Sequence, residues 1–137
     1  MQIGNEGDQI LALAQLYSGN LPAARAAAEQ ARRYDVPRNN HNVLALLGVI
    51  ALRQNDTPAA REAFSAALAH AEGLLTHTSE YFGALDAMAL ALAGMGEIEG
   101  AHAAYQAARA VNSEAGIVQR ATRLLNQLEG VPRFWEE

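Results

Sequence analysis

The hydrophobic positions between residues 42 and 72 fall into two sets, each with the spacing of a helix face. The first set is Leu44, Leu47, Gly48, Ala51 and Leu52, and the second is Ala60, Ala63, Phe64, Ala67 and Leu68. Each set recurs every three or four residues. Between them, Asn55-Asp56-Thr57-Pro58 carries residues suited to a turn, with a proline fit for the first turn of a helix. The segment therefore predicts a helix, a tight turn and a second helix whose apolar face meets the first.

The same pattern occurs twice more along the chain. Gly96-Glu97-Ile98 matches the central turn downstream, and Gly19-Asn20-Leu21 matches it upstream. After the downstream turn, Tyr105 takes the position of Phe64 and is flanked by small residues in the same way. Successive turns begin at residues 19, 55 and 96, so they are 36 and 41 residues apart. Three copies predict a protein built from repeated helix pairs.

The central copy resembles the tetratricopeptide repeat family. The resemblance rests on the offsets of Leu47-Gly48, Ala60, Phe64 and Ala67, although Glu72 stands where the family has its closing proline. It implies an all-α fold, namely a right-handed α-solenoid of three helix-turn-helix repeats with a C-terminal capping helix. It also implies a scaffold for protein–protein interaction. The stretched repeats and the last helix further resemble the helical-repeat sensor regions of large bacterial signal-transduction regulators.

We expect a single domain over residues 1–137. Its predicted parts are repeats at about 8–34, 41–75 and 80–111, a capping helix at about 114–129 and a tail at 130–137. Asp8 is expected to cap the first helix and residues 1–7 to fray. The tail carries Phe134 and Trp135, which we expect to dock on helices six and seven or on another molecule, because adjacent exposed aromatics favour contact.

Composition narrows the possible classes of function. Thirty residues are alanine, the best helix former, and few are aromatic, which favours closely spaced helices. A net charge of -5 argues against general affinity for nucleic acid or an anionic membrane. No apolar run reaches the roughly 18 residues of a membrane span, and the N-terminus lacks signal-peptide features, so we expect a cytoplasmic protein. The absence of cysteine excludes thiolate and disulfide chemistry.

No catalytic constellation is visible in the sequence. His70 and His77 are seven residues apart, so a continuous helix would separate them by roughly 10 Å, too far for one metal ion. His41 lies among asparagines and is interpreted as a capping and loop residue. We therefore expect no enzymatic activity, no cofactor and no metal site.

The resemblance locates the candidate binding surface. In tetratricopeptide repeat proteins the first helix of each repeat lines a concave groove that holds a peptide or a partner helix. The groove positions carried over to this chain are Asn42, Ala45, Val49, Leu52, Arg53, Asp86 and Leu90. Because Val49 and Leu90 replace the asparagines with which chaperone-type members grip a terminal carboxylate, and no lysine exists, no carboxylate clamp is expected. We expect a mostly apolar groove.

Several alternatives remain open at this point. The occupant of the groove could be another protein or a neighbouring part of the same polypeptide. Val49, Leu52 and Leu90 could instead be core between adjacent helices. The chain could also self-assemble into a homo-oligomer through its uncapped first repeat, or be a helical bundle that binds a small ligand or acts as an enzyme. The last of these needs convergent polar groups in a pocket, and none is found.

Overall fold

The computed structural model describes residues 5–136, which form seven α-helices and one short 3₁₀ turn. The helices are α1 (Glu6–Tyr17), α2 (Leu21–Arg32), α3 (Asn40–Arg53), α4 (Thr57–His77), α5 (Phe82–Gly94), α6 (Ile98–Val111) and α7 (Ala115–Leu125), and the 3₁₀ turn is Phe134–Glu136. Since the described residues contain no β-strand, the all-α prediction is confirmed.

The three predicted turns share one backbone geometry. Gly19, Asn55 and Gly96 each have a positive φ, at 86°, 63° and 83°. This left-handed conformation ends a helix at little cost for glycine and is tolerated by asparagine. After the first two turns, a side-chain oxygen of the next residue accepts a hydrogen bond from the new helix, Asn20 from the Ala23 N–H and Asp56 from the Ala59 N–H. The three turns by which the repeats are aligned therefore end their helices in the same way.

Each helix packs on its neighbours in the order expected of a helical repeat. The pairs α1–α2, α3–α4 and α5–α6 form three hairpins, and the first helix α3 also contacts the first helices α1 and α5. Phe64 is fully buried, as predicted. A Cβ atom added to Gly48 would lie 2.5 Å from its ring, and one added to Gly94 would lie 2.4 Å from it. The ring therefore occupies the space that two glycines leave between α3 and α5.

The start of the chain differs from the prediction. Because α1 begins at Glu6, Asp8 lies inside the helix and Asn5 takes the capping position. Asn5 is fully buried, and its side-chain oxygen accepts a hydrogen bond of 2.8 Å from Asn39 Nδ2. The expected fraying is thus wrong for residues 5–7, because a long-range contact holds them. Residues 1–4, included in the same prediction, lie outside the described part.

His41 also differs from its interpretation as a capping and loop residue. It is fully buried within α3 and makes an edge-to-face contact with Tyr81, at 5.8 Å between ring centroids. Neither ring nitrogen has a hydrogen-bond partner among residues 5–136. Burial, together with the charge of nearby His70, lowers the pKa of His41 to about 4. The side chain is therefore a neutral core residue at physiological pH.

The C-terminal segment divides between two places. α7 contacts α5, whereas the 3₁₀ turn contacts α6. Phe134 packs edge-to-face on Tyr105 at 6.1 Å, and Trp135 Nε1 donates a 2.9 Å hydrogen bond to Asn126 Oδ1. Tyr105 is the repeat equivalent of Phe64, so Phe134 lies where a following repeat would place its first helix. The tail thus docks on its own chain and covers the end of the third repeat, while α7 lies elsewhere.

Candidate binding groove

The first helices α1, α3 and α5 share one face, and α7 lies against that face. Between them is a cavity of about 80 Å³. Its walls on α1 and α3 are Gln9, Leu13, Asn42, Ala45 and Leu46. Its walls on α5 and α7 are Asp86, Ala87, Leu90, Ala121 and Leu124. We call the surface that α1, α3 and α5 contribute the groove. It is largely apolar, and α7 is its present occupant.

Polar contacts at one end of α7 tie it to two further helices. The guanidinium carbon of Arg123 lies 3.8 Å from the centroid of the Tyr17 ring, at the end of α1. In the last turn of α3, Arg53 Nη1 donates a hydrogen bond to Gln127 Oε1. Arg53 Nε also lies 3.3 Å from Glu129 Oε1. α7 and the residues just after it therefore contact all three first helices.

An amide network connects the starts of α1 and α3 beside the groove. Asn39 Nδ2 donates hydrogen bonds to Asn5 Oδ1 at 2.8 Å and to Gln9 Oε1 at 2.6 Å. Asn42 Nδ2 donates to Asn39 Oδ1 at 2.9 Å. Buried polar groups that bond to each other in this way fix the relative positions of their helices. Gln9 and Asn42 are thus held as polar parts of an otherwise apolar wall.

Asp86 is the only acidic side chain among the residues that line the cavity, and it is paired with the outer helix of its repeat. Arg109 Nη2 donates a 2.7 Å hydrogen bond to Asp86 Oδ2. Burial raises the pKa of Asp86, and the neighbouring guanidinium opposes that rise. Asp86 Oδ1 is buried and has no hydrogen-bond partner among residues 5–136. The groove wall therefore contains one acceptor that α7 leaves unpaired.

The structure brings most of the sequence-predicted positions together. Asn42, Ala45, Asp86 and Leu90 line one cavity, and Arg53 contacts the residues that follow α7. Val49 does not line the cavity and is fully buried, so for this residue the alternative reading as core is the correct one. Leu52 is partly buried against the core.

Sequence reasoning missed the far wall of the cavity. α7 was interpreted as a cap on the last repeat, so Ala121 and Leu124 were not placed at the groove, and neither was Leu46. A signal was present in the apolar stripe of the predicted last helix, which extends from Ile117 to Leu128. A stripe of that length needs a long apolar partner, and the exposed end of one repeat is short. The face along three first helices is the larger surface.

The groove is suited to binding an apolar helix. No group of three or more His, Cys, Asp or Glu side chains that could hold a metal ion occurs among residues 5–136. The described helices include none that is both long and apolar enough to cross a membrane. The groove has an aliphatic surface, with the aromatic ring of Tyr17 and the guanidinium group of Arg53 beside it.

Comparison with known proteins agrees with the repeat geometry. A family model described as tetratricopeptide repeat matches residues 11–73, which extend from α1 into α4. No curated protein and no solved structure shows significant similarity to the chain. Tetratricopeptide repeats generally mediate protein–protein interactions and are typically not enzymes. Residues 11–73 are therefore similar to tetratricopeptide repeats, in agreement with the helix pairs seen in the structure.

Proposed function

We propose that this protein is a non-catalytic interaction scaffold whose groove binds one amphipathic helix of a protein partner. The observation that carries the proposal is the seating of α7. A helix of 11 residues already lies on the face of α1, α3 and α5, with apolar contacts from Ala121 onward and polar contacts at the same end. Grooves that hold amphipathic helices recognise apolar anchors spaced three and four residues apart. Ile117, Ala121, Leu124 and Leu128 have that spacing.

The chemistry of the groove supports a helix over an extended peptide. An extended peptide is held by main-chain hydrogen bonds to a strand edge or by closely spaced polar side chains. The described residues provide no strand edge, and the polar groups of the groove wall are mostly engaged with one another. A helix satisfies its own backbone internally, so an apolar groove suits it. A role as the sensor part of a larger bacterial regulator stays a prediction.

Selection from a library of helical peptides tests the proposal. Peptides that bind the full chain should share apolar anchors at helical spacing, and Ala87→Glu in the groove should weaken their binding at least about tenfold. Ala107→Glu, which places the same charge on an exposed position of α6, is the matched control and should leave binding unchanged. Peptides that bind both variants equally would locate the interaction outside the groove and contradict the proposal.

Self-assembly is a second candidate, favoured by one observation. On α1, the adjacent large apolar side chains Ile10 and Leu11 are 68% and 49% exposed, and contiguous exposed apolar surface favours contact with a partner. Sedimentation of the chain over a range of concentrations tests this candidate. A dimer that Ile10→Lys converts to a monomer would support stacking through α1. A monomer at all concentrations would remove this candidate.

A further inference from the structure

We infer that α7 is a built-in, exchangeable occupant of the groove, which an external amphipathic helix must displace in order to bind. The inference rests on the proposed function. It adds how the site is regulated and which features a helix needs in order to displace α7. It follows from three properties of the α7 interface, namely weak burial, imperfect fit and attachment by a short link.

The first property is weak burial. Of the 11 residues of α7, only Leu125 is buried, whereas every other helix of the chain buries at least two side chains. Segments with few buried apolar contacts open locally at a lower free-energy cost than the global unfolding of the protein. α7 is therefore the helix of this chain that can leave its site while the three hairpins remain folded.

The second property is imperfect fit. A cavity of about 80 Å³, partly open to solvent, lies between the groove wall and the α7 residues Ala121 and Leu124, so α7 does not pack closely on this part of the groove. Asp86, in the wall of the same cavity, has its Oδ1 atom buried without a hydrogen-bond partner among the described residues. A helix with a longer side chain in place of Ala121 would fill this space. A hydrogen-bond donor at the end of that side chain would also pair Asp86.

The third property is the attachment of α7 to the rest of the chain. α6 ends at Val111 and α7 begins at Ala115, so three residues connect them. A short link holds a segment near its site at an effective concentration in the millimolar range. An external helix with the sequence of α7 would compete poorly against this concentration. The competitor must bind more tightly than α7 does, and the cavity shows where the additional contacts can be made.

The partner chemistry follows from these contacts. We expect an amphipathic helix with aliphatic anchors at the positions of Leu124, Leu125 and Leu128, and a long side chain at the position of Ala121. A basic side chain would stack on Tyr17 as Arg123 does, and an amide or carboxylate would meet Arg53 as Gln127 and Glu129 do. When α7 is detached in one molecule in a hundred, the apparent Kd of such a partner is raised about a hundredfold.

The test uses the full chain and a labelled synthetic peptide with the sequence of residues 112–130. Leu125→Asp places a carboxylate at the one buried position of α7 and should release the helix, because an unpaired charge is not tolerated in an apolar site. Leu124→Ala is a milder releasing variant. Gln119→Asp adds the same charge on the exposed side of α7 and serves as the matched control.

We expect the peptide to bind Leu125→Asp at least about tenfold more tightly than it binds the unaltered chain or Gln119→Asp. The affinity of the peptide for Leu124→Ala should lie between its affinities for Leu125→Asp and for the unaltered chain. Introducing Ala121→Leu into the peptide should tighten binding and introducing it into the chain should weaken binding, because the larger side chain fills the cavity and favours whichever copy of the helix carries it. Hydrogen exchange in residues 115–125 of each variant shows directly whether α7 has been released.

Each other outcome has a distinct meaning. Equal binding to all chains would show that α7 does not compete, which overturns this inference but leaves the proposed groove function intact. A released α7 with no peptide binding would overturn both. An α7 that stays protected in Leu125→Asp and Leu124→Ala would show that it is a fixed part of the fold, again against the inference alone. Concentration-dependent dimers that Leu125→Asp abolishes and Ile10→Lys does not would assign α7 to the groove of a second copy and overturn the inference.

Discussion

Helices α3 and α7 are both rich in apolar residues, yet they are buried to very different extents. In α3, 11 of 14 residues are buried, and the helix contacts α2, α4 and α5. In α7, one of 11 residues is buried, and its main helix contact is with α5. A helix enclosed on every side is part of the fold. A helix that rests on one side can be replaced by another of similar chemistry.

The difference follows from small residues as much as from large ones. Gly48 lets the ring of Phe64 lie directly on the backbone of α3, and Gly94 does the same on α5. The ring of Phe64 thus fills the space beside both glycines. At α7 the small residue is Ala121, and it faces a cavity instead of a ring. A small residue therefore tightens an interface only where a large side chain fills the space that it leaves.

The largest effect should come from removing the side chain that packs α3. Phe64→Ala should lower the free energy of unfolding by about 3–5 kcal/mol, because it creates a cavity between α3 and α5. Chemical denaturation measures this loss. A loss below about 1 kcal/mol would show that α3 is not held as tightly as its burial indicates.

Acid should loosen α3 through His41. The pKa of His41 is lowered to about 4 in the folded protein, against about 6.5 in the unfolded chain. Above pH 6.5 this group has no effect on stability. As the pH falls from 6.5 to 4, only the unfolded chain binds the proton, so stability falls by roughly 3 kcal/mol and then levels off.

Chemical denaturation at several pH values measures the slope of the free energy of unfolding against pH. His41→Gln should remove most of it, since the variant keeps His70, His77 and His102 but has no titrating group at the buried position. If stability depends on pH to the same extent in His41→Gln, the acid sensitivity belongs to other groups, and the prediction for His41 is wrong.

The tail should have an intermediate effect, because it fastens the end of α7 to α6. Phe134→Ala removes the contact with Tyr105 and should lower the free energy of unfolding by about 1–2 kcal/mol. This loss is smaller than that of a substitution in the central core, because the segment can open by itself. The emission of Trp135, the only tryptophan, should shift to longer wavelength. Glu136→Gln, at an exposed neighbouring position, should change neither quantity. Unshifted emission in Phe134→Ala would mean that Trp135 docks without Phe134.

Arg53→Gln should have the smallest effect on global stability. Arg53 contacts Gln127 and Glu129, and the side chain of Glu129 is 83% exposed, so the ion pair is worth less than about 1 kcal/mol. Hydrogen exchange in α7 should nevertheless become faster, because one of its polar contacts is lost. A global loss of more than about 2 kcal/mol would show that α7 and the repeats unfold as one unit.

The sequence predicted the repeats because their signals are local. Gly19, Asn55 and Gly96 mark the turns by residue type, and the positions of Phe64 and Tyr105 follow from their offsets to those turns. The same alignment predicted that Asn42, Ala45, Asp86 and Leu90 lie near one another, and these four residues line one cavity. These features depend on spacing within about 40 residues of sequence.

The features that sequence reasoning missed depend on contacts between distant residues. Asn5 was expected to fray because its neighbours are polar, but Asn39 holds it from 34 positions away. His41 was interpreted from its asparagine neighbours in sequence, although Tyr81 and His70 lie close to it in space. The placement of α7 required a choice between two apolar surfaces, and the amphipathic stripe alone does not distinguish them.

Native-state hydrogen exchange across the full chain tests the central claim most directly, because it measures the opening of α3 and of α7 in one sample. If α7 is an exchangeable occupant of the groove, its amides should exchange at least about a hundredfold faster than those of α3, with little dependence on low concentrations of denaturant. The amides of α3 should exchange only through global unfolding. Equal protection of the two helices, with the same dependence on denaturant, would contradict the account.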